Sequence, residues 1–143
     1  MLSKRLEQVA SMVTKGNIIA DIGTDHGYVP IYLVEKGICP KAYAMDINQG
    51  PIESAIKNIE NYGLSEKIQA IKSNGLEKLE PEKADTIIIA GMGGELIVNI
   101  LENGLAKLEN CSRPVKELVL SPHKRGDLVR KYLEEHKWHI TDE

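Results

Sequence analysis

Phenylalanine is missing altogether, and one Trp and five Tyr hold the aromatic share to 4 %. The core of this chain must therefore be aliphatic. Cysteine is scarce too. Cys39 and Cys111 lie far apart with no Cys-x-x-Cys or Cys/His spacing, so free thiols are expected and a metal site is not. No apolar run approaches the roughly 18 residues that a membrane-crossing helix requires. Met1-Leu2-Ser3-Lys4-Arg5 opens a periodic, charged segment rather than a cleavable apolar one, and a cytoplasmic location is expected. Nor is there an excess of positive charge. The 18 Lys and Arg against 21 Asp and Glu leave a net charge of −3, which argues against a generic nucleic-acid binder. A local basic face stays open, with Lys4-Arg5, Lys124-Arg125 and Arg130-Lys131 as candidates against the plainer reading of solvated helix faces.

What is present alternates. A stripe of Leu2, Leu6, Val9, Ala10 and Val13 predicts a first helix that ends at Gly16. A strand over 18–21 runs into the turn Gly23-Thr24-Asp25-His26-Gly27. Pro30 suits the first turn of the next helix and Gly37 closes it. A strand over 42–46 follows, then a helix from about Gly50-Pro51 with Ile52, Ala55, Ile56 and Ile59 on one face, stopping at Gly63. Further strands are predicted over 68–72, 86–90 and 117–121, the second of them apolar throughout, as a strand covered on both faces should be. One helix is predicted through Ile97, Ile100, Leu101, Leu105 and Leu108. Another opens at Pro122 and turns Leu128, Val129, Tyr132 and Leu133 inward. Trp138-His139-Ile140 reads as the onset of a sixth strand, where the sequence ends. Strand and helix alternating at this length predict one α/β domain: a three-layer sandwich with a mostly parallel sheet.

In such sheets ligands bind beyond the carboxyl ends of the strands. The least ordinary residues fall there. Asp21-Ile22-Gly23-Thr24-Asp25-His26-Gly27 follows the first strand, and Asp46, 25 positions beyond Asp21, ends the second. The glycines let backbone approach a ligand, and an acidic residue at Asp46 can accept both hydroxyls of a ribose. Dinucleotide sites share that spacing, but they need Gly-x-Gly-x-x-Gly to cradle a pyrophosphate. This loop offers only Gly23 and Gly27, with Asp25 between them. A carboxylate there suits the cationic sulfonium and ammonium of S-adenosylmethionine better than it suits a pyrophosphate. The plainer alternative makes Asp21 and Asp46 mere turn caps. A second cluster, Gly91-Met92-Gly93-Gly94, puts three glycines in four positions at a strand end, from a tight turn or a flat ligand's close approach. His26 and His123 also fall at strand ends, and no nucleophile–base pair stands out.

The assembled residues resemble the bacterial tRNA adenine-N1 methyltransferases of the TrmK family, which modify adenine 22. The resemblance runs the length of the chain through Leu2-Ser3-Lys4-Arg5-Leu6, the segment from Ala20 to Ile31, Asp46-Ile47-Asn48-Gln49-Gly50-Pro51 and Ala90-Gly91-Met92-Gly93-Gly94. It implies a Rossmann-like class I methyltransferase core with S-adenosyl-L-methionine as cofactor and tRNA as substrate. Carried onto this sequence, Asp21, Gly23, Thr24, Asp25, His26 and Gly27 line the methionine end. Asp46 and Ile47 take the ribose side, Asn74 and Gly75 sit beside the adenine, and Gly91, Met92 and Gly93 border the reacting methyl, with Ala90 also in the cofactor site. Arg5 reaches the cofactor carboxylate. Asn74 stands where many members carry Asp, and Ser121-Pro122 stands where Gln-Pro is usual. Members also continue into further strands and a helical coiled-coil extension; the expectation is a single domain over residues 1–143 without it.

The reaction so implied needs no general base. Adenine N1 has an in-plane lone pair, so alignment and exclusion of water are the main requirements. The target base must leave its stack to reach the pocket. Candidate residues around it are Asp25, His26, Met92, Gly93, Ser121 and Pro122. The rival readings are a methyltransferase acting on a small molecule or protein, an NAD-dependent oxidoreductase, and a binding fragment without activity.

Overall fold

The computed structural model describes residues 2–143 and arranges the alternating elements as three layers. In chain order they are α1 (Lys4–Ser11), β1 (Ile19–Ile22), α2 (Tyr28–Glu35), β2 (Ala42–Asp46), α3 (Gln49–Asn61), β3 (Ile68–Lys72), β4 (Thr86–Ala90), α4 (Gly94–Gly104), α5 (Ala106–Glu109), β5 (Glu117–Ser121) and α6 (Gly126–Glu135). The strands form one parallel sheet in the order β3-β2-β1-β4-β5. The chain builds outward from β1 to β3, then returns to lay β4 against the other side of β1. The loops after β1 and β4 leave the sheet in opposite directions, and a crevice opens between them.

Successive strand residues point to opposite faces, and the sequence supplies apolar side chains for both. Ile19, Ala42, Ala44 and Ile88 meet α1, α2 and α3, while Ala20, Met45, Ile87 and Ile89 meet α4, α5 and α6. Leu and Ile fill these layers, as a chain without Phe requires.

Several boundaries differ from the expectations. The first strand is Ile19–Ile22, one residue later, because the N–H of Ile18 donates to the Asp85 carboxylate instead of to a neighbouring strand. Helix α1 starts one residue after Ser3, whose Oγ accepts from the N–H of Leu6, and ends at Ser11. Met12 and Val13 complete it as a tighter turn, bonding to Val9 and Ala10, and this keeps Val13 buried. The single helix expected over 97–108 is two, α4 and α5. It breaks after Gly104, where a Cβ would stand 2.6 Å from that of Leu76. Ile56 is 41 % exposed rather than packed. The last helix opens at Gly126, with Pro122 in the loop before it.

The sixth strand does not form. Lys137 takes a left-handed φ of 63°, its N–H donates to Glu134, and that of Trp138 donates to Leu133. These are the two bonds of a helix-ending Schellman motif. The motif turns residues 138–140 away from a strand path.

Candidate active site

The carboxyl ends of β1, β2 and β4 surround a cleft of about 580 Å³, within the usual range for a small-molecule site. Backbone bonds fix its floor. The N–H groups of Gly23 and Thr24 both donate to the Met45 carbonyl, at 2.8 and 2.9 Å, so the β1 loop is pinned to the end of β2. The N–H of Ser73 donates to the Asp46 carbonyl at 2.8 Å, bringing the β3 loop to the same edge. Gly23 has φ +76°, so the turn geometry calls for glycine; a Cβ there would meet Met92 Cε at 2.5 Å, a contact the flexible Met side chain can relieve.

Three buried polar residues define the chemistry: Asp21 at 5 % exposure, Thr24 at 7 % and Asp46 at 8 %. Burial pushes the Asp21 carboxyl up to about 7, opposed by the nearby Thr24 hydroxyl and reinforced by the charge of Asp46. That hydroxyl lies close enough to act on the carboxyl's charge. It nonetheless makes no well-formed hydrogen bond, and Thr24 Oγ1 is a buried oxygen without a partner among the described residues. Asp46 is better satisfied. Its Oδ1 accepts from the N–H of Asn48 at 3.0 Å and its Oδ2 from that of Asp25 at 3.2 Å. A carboxylate has about four lone-pair sites, so both oxygens can still accept from a ligand.

Asp25 is exposed and holds φ at 61°, a region that Asp tolerates better than most non-glycine residues. Its Oδ1 lies 3.7 Å from His26 Nε2. His26 is anchored from behind: Nδ1 shares a hydrogen bond with Ser54 Oγ at 2.7 Å, and its carbonyl accepts from Asn58 Nδ2 at 2.9 Å. On the β3 side, the Ser73 hydroxyl donates to the Gly75 carbonyl and accepts from the N–H of Lys78, which shapes the turn that presents Asn74.

The Gly91-Met92-Gly93-Gly94 turn has separable causes. Gly91 takes φ +81°, and Arg5 Nη2 would stand 3.4 Å from a Cβ there. Gly94 lies directly under the backbone of Arg125, leaving no room for a side chain. A Cβ at Gly93 would meet the flexible Lys124 stem, at 3.2 Å, and His123 Cε1, at 3.8 Å. Two of the three glycines are thus explained by turn shape and packing without a ligand. The turn is also stitched to the β5–α6 loop: the N–H groups of Gly91, His123 and Gly94 donate to the carbonyls of Ser121, Met92 and Lys124.

Most of the residues anticipated from sequence converge on the cleft: Arg5, Asp21, Gly23, Thr24, Asp25, His26, Asp46, Ile47, Asn74, Gly75, Ala90, Gly91 and Met92 all line it. Four do not. Gly27 is the left-handed cap of α2, and a Cβ there would stand 3.2 Å from that of Ala55, so it serves the packing of α2 on α3. Gly93 lies behind the turn, under Lys124. Ser121 reaches the site only through its carbonyl, and Pro122 faces a separate groove beside Trp138. Sequence reasoning missed Tyr28, Leu96, Asn99 and Ile100, which also line the cleft. The last three share one face of α4 at helical spacing, and a helix starting at a strand's ligand-side end is the signal that could have found them. No group of acidic, His and Cys side chains suited to a metal ion occurs among the described residues, and no helix there is long and apolar enough to cross a membrane.

A parallel sheet with carboxylates at the ends of its central strands is the frame of an enzyme that binds a nucleotide-containing cofactor, and comparison with known proteins specifies it. The methyltransferase domain model matches residues 2–143, and the chain belongs to that family. Among its relatives is the tRNA (adenine(22)-N(1))-methyltransferase of Bacillus subtilis, 40 % identical over 142 residues, which cover 99 % of this chain and 58 % of the relative. A crystal structure of Streptococcus pneumoniae Sp1610, described as a putative tRNA (m1A22) methyltransferase in complex with S-adenosyl-L-methionine, superposes with a TM-score of 0.93 at 48 % identity. The match covers 99 % of this chain and 65 % of that one. TrmK of M. capricolum with S-adenosyl-homocysteine gives 0.86 at 38 % identity, covering 99 % and 61 %. The chain thus spans about three-fifths of the length of these relatives.

Proposed function

We propose that residues 1–143 are the catalytic domain of a methyltransferase that transfers the methyl group of S-adenosylmethionine to N1 of adenine 22 in tRNA. The observation that carries this is the buried set Asp21, Thr24 and Asp46 at the ends of adjacent strands, in a cleft whose loop lacks the pyrophosphate-binding glycine pattern. The relatives described with the methyl donor or its product bound support the same cofactor. Acting on tRNA places the activity in the cytoplasm.

The residues present fit that cofactor. The Thr24 hydroxyl is orphaned, and Asp21 is a buried carboxyl without a cation partner among the described residues. Together they match the donor groups and positive charge of a methionine end. Asp46 has acceptor capacity to spare for ribose hydroxyls. Asn74 can accept from or donate to a purine edge, and Ile47, 54 % exposed beside Asp46, offers that purine an apolar surface. Arg5, across Gly91, is placed for a carboxylate.

When bound, S-adenosylmethionine would supply an electrophilic methyl group: the adenine N1 lone pair would attack it as the methyl–sulfur bond breaks, leaving S-adenosylhomocysteine and cationic 1-methyladenine. Asp25 faces the mouth and is the candidate to receive the adenine amino hydrogens, which raises electron density at N1. Met92 and Gly91 wall the crevice on the β4 side and restrict water. No proton leaves N1, so no base is required, and the Ser54–His26 hydrogen bond is left to anchor the loop. The test is methyl transfer to tRNA transcripts carrying A22 or G22. Transfer to the first alone supports the assignment; equal transfer to both, or to neither, removes it.

A further inference from the structure

Tyr28 opens α2 at the rim of the cleft and is 39 % exposed, in a chain that has six aromatic Tyr and Trp side chains in all. Its ring lies against that of His26, with centroids 5.3 Å apart and planes 34° from parallel. His26 is itself about half exposed. Neither ring is incidental to its loop. Ser54 and Asn58 of α3 hold the His26 ring and carbonyl from behind, while the left-handed Asp25 and Gly27 on either side set its direction. The phenol makes no hydrogen bond among the described residues, so no polar contact accounts for its position. Packing does so only in part, because the residue keeps 39 % of its surface open to solvent. Two adjoining aromatic faces, one locked by the scaffold, at the open edge of a cofactor-sized cleft are the form of a surface on which a flat ligand stacks.

We propose that His26 and Tyr28 form the stacking platform that receives the target nucleobase once it has left the RNA stack. The platform rests on the RNA-methylation reading above for the identity of the base and adds to it a specific task for two side chains. Every base has a π-face, so the platform holds the base in place without selecting it; selection falls to polar groups beside it, among them Asp25, whose Oδ1 lies 3.7 Å from His26 Nε2. Stacking also explains how a base extruded from tRNA is kept at the mouth long enough for N1 to align.

The test uses adenosine 5′-monophosphate as probe on the protein saturated with S-adenosylhomocysteine. Proton NMR should show ring signals of Tyr28 and His26 moving as the nucleotide is added. Tyr28→Ala, and Tyr28→Leu, which keeps bulk but removes the ring, should each weaken nucleotide binding about tenfold. Tyr28→Phe should restore it, while affinity for S-adenosylhomocysteine stays within about twofold in all three. With tRNA the same loss should appear in kcat/KM. Absence of ring shifts, or nucleotide and S-adenosylhomocysteine affinities falling together, overturns the platform. The two claims separate cleanly. If tRNA is methylated equally well by Tyr28→Ala, the platform falls and the reading stands. If no RNA is methylated by the unaltered protein yet the nucleotide shifts both rings, the platform stands and the choice of tRNA falls.

Discussion

The N–H of Asp25 donates to Oδ2 of Asp46 across 3.2 Å, tying the loop after β1 to the carboxyl end of β2. Asp46 therefore has two tasks, holding a loop and facing the cleft. Asp46→Asn keeps an oxygen for only one of the Asp25 and Asn48 N–H groups and loses the charge that faces a ligand. It should leave the protein folded and weaken S-adenosylmethionine binding by about 1.5–3 kcal/mol, the loss typical of a hydrogen bond to a charged group. Calorimetry reads the binding, and circular dichroism confirms the fold.

Asp21 should make cofactor binding depend on pH. Its carboxyl lies at 3.8 in the ordinary case and is raised to about 7 here, chiefly by burial. The folded protein then holds this proton more tightly than the unfolded chain. The resulting stability is present in full below about pH 4 and is lost as the pH rises through about 7. A cation seated beside Asp21 favours its charged form, so binding near pH 6 should release a proton and binding near about pH 9 should not. Titrations in buffers of different ionisation heat count that proton, and Asp21→Asn should abolish the difference.

The cations of the loop between β5 and α6 are unequal. Arg125 is engaged by Asp127 through Nε and Nη2, both at 3.1 Å, and by Glu95 at 3.7 Å. Lys124 lies over Gly93 and makes no ion pair among the described residues. Lys124→Gln should weaken tRNA binding and lower its logarithmic salt slope by about 0.7–0.9, as for one lost phosphate contact. Arg125→Gln should change both less. Filter binding across a salt series distinguishes them, and equal effects would show that the Asp127 pair does not occupy Arg125.

At the opposite end of the sheet, Asp85 is held by Arg113 through two bonds of 3.0 and 2.8 Å and by the N–H of Ile18 at 2.8 Å. Burial pushes its carboxyl up, but the Ile18 and Arg113 bonds outweigh that and leave it below the ordinary value. Stability from this group is present above the usual carboxylate range and lost as the pH falls beneath it. Arg113→Ala should destabilise by about 1–3 kcal/mol in urea at neutral pH, with the deficit shrinking below about pH 4. The cleft is distant from this pair, so cofactor affinity should not change.

The strands over 42–46, 68–72, 86–90 and 117–121 were legible because each is an apolar run bounded by turn residues, and the structure keeps those limits. Helix ends were legible where glycine marks them. Gly37 and Gly63 sit at the left-handed positions of motifs that close α2 and α3. The third such motif uses Lys137, which carries no signal of a chain reversal, and the strand expected just beyond it does not form. The cleft residues on loops were found because Asp and Gly are unusual at strand ends. Tyr28 and the α4 face were not, since an aromatic or apolar residue on a helix reads as core until its exposure is known. Gly94 is the converse case: its lack of a side chain serves the Arg125 backbone, a contact between segments distant in sequence.

The most direct test of the central claim is calorimetric titration of this chain with S-adenosylmethionine, S-adenosylhomocysteine and NAD in parallel. The cleft built on Asp21, Thr24 and Asp46 predicts binding of the first two in the micromolar range, weakened together in Asp21→Asn, and no binding of NAD. A folded protein that binds NAD, or that binds the methyl donor equally well without the Asp21 carboxylate, contradicts it.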